Sequence, residues 1–334
     1  MNLGDLGEFG LIDRIAGFFD RDNSDIVIGI GDDAAAIRKG EGIISLVTSD
    51  MLLEDIHFDL RYTAPNQLGE KALAVNISDI AAMGGTPRFF LLSIALPKDT
   101  EVDFVENFSK GAALAASRFG VTLIGGDTVA SDDKILISIT LIGEAPEREV
   151  LCRNGANPGD QIFVTGTIGD SAAGLKLLKK GINIDNCSPE NGELIKKHLS
   201  PSPRVDVARY ISRNHLATSM IDISDGLLKD MGHICESSKA QGKIWLDRIP
   251  LSSSYIRVAK DHGFNIKTVL AGGEDYELLF TIPMEKVEEL DKLERNFDCT
   301  LTHIGEICPG NGVLLYDHEN NIIDPGMTGY DHFS

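Results

Sequence analysis

The stretch QLGEKALAVNISDIAAMGG, residues 67–85, repeats apolar side chains at helical spacing through Leu68, Ala72, Val75 and Ala82 and ends on Gly84-Gly85, which predicts a helix over 67–83. Asn76 and Asp79 are three residues apart and so share a face of that helix. Asp79 stands among Ile77, Ile80 and Ala81, a setting that implies burial, and a buried carboxylate needs a partner or a metal ion. A second helix is predicted over 104–119 through Phe108, Ala112 and Ala115. Around these two, β-branched runs predict strands at 26–30, 43–48, 89–96, 121–124 and 135–142. Residues 146–160, rich in Pro, Gly, Asn and charge, read as a boundary. Beyond it come predicted strands at 161–165, 276–282 and 301–307 and helices at 171–180, 204–214, 226–240 and 285–296. Strands and helices mixed in this way, in a chain of 334 residues, imply two α/β (α+β) domains, at 1–148 and 149–334.

Six acidic segments punctuate this pattern and are expected as short turns: Gly31-Asp32-Asp33, Thr48-Ser49-Asp50, Ser78-Asp79, Gly125-Gly126-Asp127, Asp222-Ile223-Ser224-Asp225 and Gly272-Gly273-Glu274-Asp275. Carboxylates with neighbouring hydroxyls suit hard divalent cations, and the chain has no GxxxxGK[ST] loop to hold phosphate directly. A carboxylate repels a phosphate oxygen, so such segments hold a polyphosphate only through a bridging cation, with Mg²⁺ and ATP the expected pair. The glycines let backbone N–H groups approach phosphate closely.

The formal net charge is −20 with no basic patch, which argues against nucleic acid or an anionic membrane as partner. No apolar run reaches the length of a membrane span, and the start, Met1-Asn2-Leu3-Gly4-Asp5, lacks the charged and apolar pattern of a leader, so a soluble cytoplasmic protein is expected. Cys152, Cys187, Cys235, Cys299 and Cys308 are scattered and form no CxxC pair, as expected of reduced packing residues.

Read together and in order, GIGDDAA at 29–35, TSD at 48–50, ALAVNISDIAAMGG at 72–85, LIGGDT at 123–128, DISDGL at 222–227, AGGEDYEL at 271–278 and GYDHF at 329–333 resemble the thiamine-monophosphate kinase family. That family belongs with aminoimidazole-ribonucleotide synthetase, selenophosphate synthetase and a hydrogenase-maturation ATPase. The resemblance runs end to end and implies a two-domain aminoimidazole-ribonucleotide synthetase-like architecture whose N-terminal sheets pair across a two-fold, hence a homodimer. It also implies roles. Asp33, Thr48, Ser49, Asp50, Asp79, Asp127, Asp222 and Asp225 would surround several Mg²⁺ ions on the ATP phosphates, with Asp79, Asp127 and Asp222 the catalytic candidates. Gly126, Asp127, Arg153 and Ser224 would contact ATP, and His57, Glu274 and Tyr330 would hold thiamine monophosphate. A selenophosphate synthetase needs a reactive Cys near the N-terminus, whereas the first here is Cys152. A cyclo-ligase would keep similar acidic loops, but GYDHF and GGEDYEL favour the kinase. A silent nucleotide-binding protein would have lost a metal ligand, and every matching position is present. An acceptor phosphate is already largely ionised near neutral pH, so direct in-line transfer needs no Ser-His-Asp machinery.

Overall fold

The computed structural model describes residues 3–19, 23–40, 42–324 and 329–330. After helix α1 (Leu3–Ala16), broken at Gly7, the chain forms strands β1 (Ile26–Ile28), β2 (Ala35–Gly40) and β3 (Ile43–Leu53), helix α2 (Pro65–Ala82), β4 (Thr86–Pro97), helix α3 (Val102–Phe119), β5 (Thr122–Ser131) and β6 (Leu136–Pro146). These strands make one sheet in the order β1-β2-β3-β6-β4-β5, antiparallel throughout except for the parallel β4–β5 edge.

Among the described residues only one face of this sheet is covered. Ile44, Leu46, Phe90, Ile137, Ile139 and Leu141 bury themselves against α2 side chains such as Leu68, Leu73, Ile77 and Ile80. Because strand side chains alternate, the neighbouring residues point to the other face, where Ile37, Met51 and Phe89 are exposed. Edge strand β5 adds exposed Leu123, Ile124 and Val129.

Helix α2 is apolar nearly all round because it is enclosed on all sides: it packs on β3 and β6, on α3, and on elements of the second unit. Pro65 starts it where a missing N–H costs nothing, and the Gln67 side chain accepts the Ala64 N–H at 3.1 Å. Its crossing with α3 is close enough to require glycine on both sides. A Cβ at Gly69 would lie 2.0 Å from the Phe108 carbonyl oxygen, and one at Gly111 only 1.8 Å from that of Asn66.

The second unit runs β7 (Gln161–Thr165), α4 (Asp170–Lys179), α5 (Pro189–Leu199), α6 (Val205–Arg213), β8 (Ser219–Asp222), α7 (Leu227–Ser238), β9 (Gln241–Trp245), α8 (Ser253–His262), α9 (Ile266–Leu270), β10 (Leu278–Ile282), α10 (Leu290–Phe297), β11 (Leu301–Cys308), β12 (Gly312–Tyr316) and β13 (Ile322–Ile323). Its sheet, ordered β13-β12-β9-β11-β7-β10-β8, is buried on both faces where its central strands lie. Ile162, Val164 and Leu279 join one core with α4, α5 and α7, whereas Phe163, Leu278 and Phe280 join another with α6, α10 and Ala81 of α2.

Two acidic segments expected as turns are strand instead. Thr48-Ser49-Asp50 lies within β3, which stays paired with β6 from Ile43↔Pro146 to Leu53↔Leu136. Gly125-Gly126-Asp127 lies within β5, paired with β4, whereas Ser78-Asp79 lies within α2, where the predicted helix over 67–83 puts it. The ladder and the helix satisfy those backbones without a turn. The five cysteines are free, as expected. Among the described residues no helix is long and apolar enough to cross a membrane.

Candidate functional site

The acidic segments that do meet converge between the two sheets, around the C-terminal half of α2. Asp33 comes from the loop between β1 and β2, Asp79 from the last turn of α2, and Asp222 from the end of β8. Carboxylate oxygens of these three residues all lie within 4.8 Å of one another. Each is tied locally: the Thr48 hydroxyl donates to Asp79 Oδ2 and the Ser78 hydroxyl to Asp222 Oδ2, both at 2.5 Å, while Arg153 Nη2 donates to Asp33 Oδ1 at 2.7 Å. The Asp50 N–H donates to Asn76 Oδ1 at 3.1 Å, which pins β3 to the helix beside the cluster.

The carboxylates outnumber the cations near them. Burial, followed by repulsion from Asp225 and Asp33, pushes the Asp50 carboxyl up to about 6. Burial and then Asp33 push Asp222 up to about 8, against the opposing pull of the Ser78 hydroxyl and Arg153. Asp79 is raised well above the usual range by burial and by Asp50, Asp222 and Asp33 in turn. Asp33 is raised as well, since burial outweighs the guanidinium of Arg153. Its Oδ2 atom is buried and has no hydrogen-bond partner among the described residues. An orphaned carboxylate oxygen among oxygen donors with too few cations fits a hard divalent ion, which takes such ligands and lowers their pKa values.

Other predicted residues lie elsewhere. Thr48 and Asp50 share the helix-covered face, so Ser49 between them points to the open face, where its hydroxyl lies 3.1 Å from that of Thr140. Asp127 pairs in register with Ser93 and therefore shares that open face, three strands from β3. At about 4.8 Å per strand this is roughly 14 Å. Gly126 beside it has φ +154°, and a Cβ there would lie 1.7 Å from the Leu92 carbonyl oxygen, so the β4–β5 pairing by itself requires glycine here.

His57 accepts the Leu53 N–H on Nδ1 at 3.0 Å in the turn after β3. Asp225 is paired with Lys229 at 2.7 Å and has Asp230 and His233 beside it. Asp230 accepts the N–H groups of Asp225 and Gly226 and so ties this loop to the first turns of α7. Tyr330 donates its backbone N–H to the Asp225 carbonyl oxygen at 3.1 Å, and its own carbonyl accepts from Lys229, so the C-terminal motif docks on this loop. Asp331, His332 and Phe333 of that motif lie outside the described residues.

The Ser224 carbonyl accepts the Glu274 N–H at 2.7 Å and joins the two C-terminal acidic loops. Glu274 itself is engaged by residues the sequence does not single out. Lys71 Nζ lies 2.8 Å from Oε1 and His198 Nδ1 lies 3.1 Å from Oε2. Burial pushes this carboxyl up, but Lys71 and then His198 outweigh it and hold the group far below the usual range. The signal for Lys71 is present in the periodicity, as a charge on an apolar stripe between Leu68 and Val75. His198 carries none.

Residues 31–145 match the family described as AIR synthase related protein, N-terminal domain, and residues 157–317 match AIR synthase related protein, C-terminal domain. With one sheet in each, the chain is a two-domain AIR synthase related protein. It is 38% identical over 314 residues to the thiamine-monophosphate kinase of Bacillus subtilis (strain 168), covering 93% of this chain and 95% of that protein. It is likewise 38% identical over 334 residues to that of Aquifex aeolicus (strain VF5), covering 100% of both. The solved structure of AaThiL complexed with AMPPCP and TMP superposes with a TM-score of 0.86 at 37% identity, over 99% of each chain. The chain belongs to the thiamine-monophosphate kinase family.

Proposed function

We propose that this chain phosphorylates thiamine monophosphate to thiamine diphosphate with ATP, by direct in-line transfer. The observation that carries the reading is the convergence of Asp33, Asp79 and Asp222 around an orphaned Asp33 oxygen, in a chain similar to these kinases from end to end. Asp33, Asp50, Asp79, Asp222 and Asp225, with the Thr48 hydroxyl, would hold Mg²⁺. Bound there, Mg²⁺ would supply the positive charge that lets the ATP phosphates approach these carboxylates. Arg153 supplies a guanidinium at the edge of the same cluster, suited to a phosphate oxygen, and Ser224 lies on the adjoining loop. An acceptor phosphate oxygen attacks the γ-phosphorus, forming one O–P bond as the bond to the bridging β,γ-oxygen breaks and ADP leaves. Alignment by His57, Glu274 and Tyr330 on the acceptor side completes the reaction geometry.

The open face of the first sheet supports a homodimer, because its exposed Ile37, Met51 and Phe89, with β5 at its edge, form an apolar surface that a second copy would cover. Gly126, Asp127 and Ser49 lie on that face, and in this reading they serve nucleotide and metal through the dimer. Division of the chain at 148/149 and action in the cytoplasm belong to the same proposal. An ATP-consumption assay with and without thiamine monophosphate, in Mg²⁺ and in EDTA, tests it. Turnover requires both the acceptor and the metal; ATP hydrolysis indifferent to the acceptor refutes the reading.

A further inference from the structure

Lys71 is a cation at a position where α2 presents its apolar stripe, and it is only 2% exposed. Burying an ammonium is costly unless it is paired, and its partner is Glu274 Oε1, brought from the other unit. Glu274 is held from two further directions. His198 Nδ1, near the end of α5, meets Oε2 at 3.1 Å and is itself 3.1 Å from the Ser171 hydroxyl of α4. The Ser224 carbonyl takes the Glu274 N–H, and the backbone at Glu274 adopts φ +67°, a left-handed conformation that a residue with a side chain keeps only when its surroundings enforce it.

We propose that Lys71 and His198 are positioning residues for acceptor recognition: by engaging one oxygen each, they fix the Glu274 carboxylate so that it meets the acceptor as a rigid hydrogen-bond acceptor of muted charge. This rests on the reading that Glu274 belongs to the acceptor pocket. A free glutamate gives up rotamer freedom when a ligand orders it, whereas a carboxylate already held by two buried partners does not. His198 is lowered by burial and by Lys71, so the group comprises one ammonium, one carboxylate and a neutral ring. A thiazolium facing it therefore meets little net charge. The carboxylate lone pairs left open suit an N–H donor such as the amino group of the acceptor's pyrimidine.

The test is a double-mutant cycle read on ligand affinity. Calorimetry with Mg²⁺ and a non-hydrolysable ATP analogue gives the affinity for thiamine monophosphate in the wild type, Lys71→Met, His198→Ala and His198→Asn, each with and without Glu274→Gln. Lys71→Met should weaken the acceptor about tenfold to a hundredfold, the scale of a hydrogen bond to a charged group, with the ATP analogue changed by no more than about twofold. The same change should appear in KM more than in kcat. In the Glu274→Gln background Lys71→Met should alter acceptor affinity by no more than about twofold, because Lys71 acts through the carboxylate. His198→Asn, which keeps a donor near Nδ1, should retain most of the affinity that His198→Ala loses.

Equal weakening of ATP analogue and acceptor, or an undiminished Lys71 effect without Glu274, overturns the proposal while leaving the kinase reading intact. A folded wild type that binds no thiamine monophosphate overturns both. Should Lys71→Met fail to fold alone, Lys71→Met with Glu274→Gln removes both charges together, and the His198 pair decides the question by itself.

Discussion

Two carboxylate sites flank helix α2, and they solve the cost of buried charge in opposite ways. At Glu274 the chain supplies its own compensation, a buried ammonium and an imidazole, and the carboxyl is held far below its usual range. At Asp33, Asp79 and Asp222 it supplies one guanidinium for several acids, leaves Asp33 Oδ2 without a partner, and the carboxyls rise. A compensated carboxylate is a fixed part of the wall. An uncompensated cluster is relieved only by taking up protons or a cation. Number of acids alone would not separate the two sites, whereas the sign of the pKa displacement does.

Asp79→Asn gives the largest contrast. Asparagine keeps a carbonyl that can accept from the Thr48 hydroxyl but removes charge from the cluster, so kcat should fall about 10³-fold or more, the scale of several kcal/mol of metal-assisted stabilisation. The metal-free protein should lose nothing and gain about 1 kcal/mol at pH 8, since one repelling charge has gone. Steady-state kinetics and chemical denaturation in EDTA measure both. A variant that is slow and also less stable without metal would break the distinction.

Lys71→Met makes the opposite stability prediction. It strands the Glu274 carboxylate and should cost about 3–5 kcal/mol by denaturation, much of which Glu274→Gln should restore in the double variant. Equal stability of the single and double variants would show that the pair is not the compensated site described.

The two sites should also answer pH in opposite senses. Asp50 and Asp222 have folded-state values of about 6 and about 8, above their ordinary 3.8, so the stability they lend the metal-free protein is fully present below about 4 and is lost as pH rises through 6 and 8. Mg²⁺ binds the deprotonated cluster. The stabilisation on adding Mg²⁺, read as a rise in Tm, should therefore be greater at pH 8.5 than at pH 5.5, where the same ligands must first shed protons; in free energy it reaches about 2.7 kcal/mol at a hundredfold excess over Kd. Glu274 has a lowered value, so its contribution is present above the ordinary 4.5 and is lost as pH falls below it. A Mg²⁺ effect of equal size at both pH values would contradict the cluster as the metal site.

How legible was this in the sequence? Helix α2 and its acid were readable because a long periodic segment with a glycine stop is a strong signal, and Asp79 among aliphatic neighbours already implied burial. Strand β8 was not, since Ser219–Asp222 is four residues buried on both faces and shows no alternation. β2 follows an acidic turn and carries Arg38 and Lys39, which hide its strand character. The β3 and β5 acids were misread as turns because polar residues are tolerated where a ladder or a neighbouring helix satisfies them, and that context is tertiary. For the same reason Ser49 and Asp127 could not be assigned to the open face without the register. Lys71 was visible as a defect in a pattern, but its partner is about two hundred residues away and only the fold pairs them.

The smallest predicted effect concerns Tyr330, docked on Asp225, next in sequence to the Ser224 that holds the Glu274 N–H. Its backbone is fixed on both sides, through Asp225 and Lys229, yet the residue is 47% exposed, so the chain is anchored while the residue remains open to solvent. Muted charge at Glu274 leaves recognition of a thiazolium cation to a π face, and cation–π contacts are worth about 0.5–2 kcal/mol. Tyr330→Ala should then raise KM for thiamine monophosphate about twofold to thirtyfold with KM for ATP unchanged. Tyr330→Phe keeps the ring and should behave like the wild type. An uncharged analogue of the acceptor, lacking the thiazolium, should lose nothing on Tyr330→Ala; if it weakens as much as thiamine monophosphate does, the ring contributes packing alone and the cation is held elsewhere.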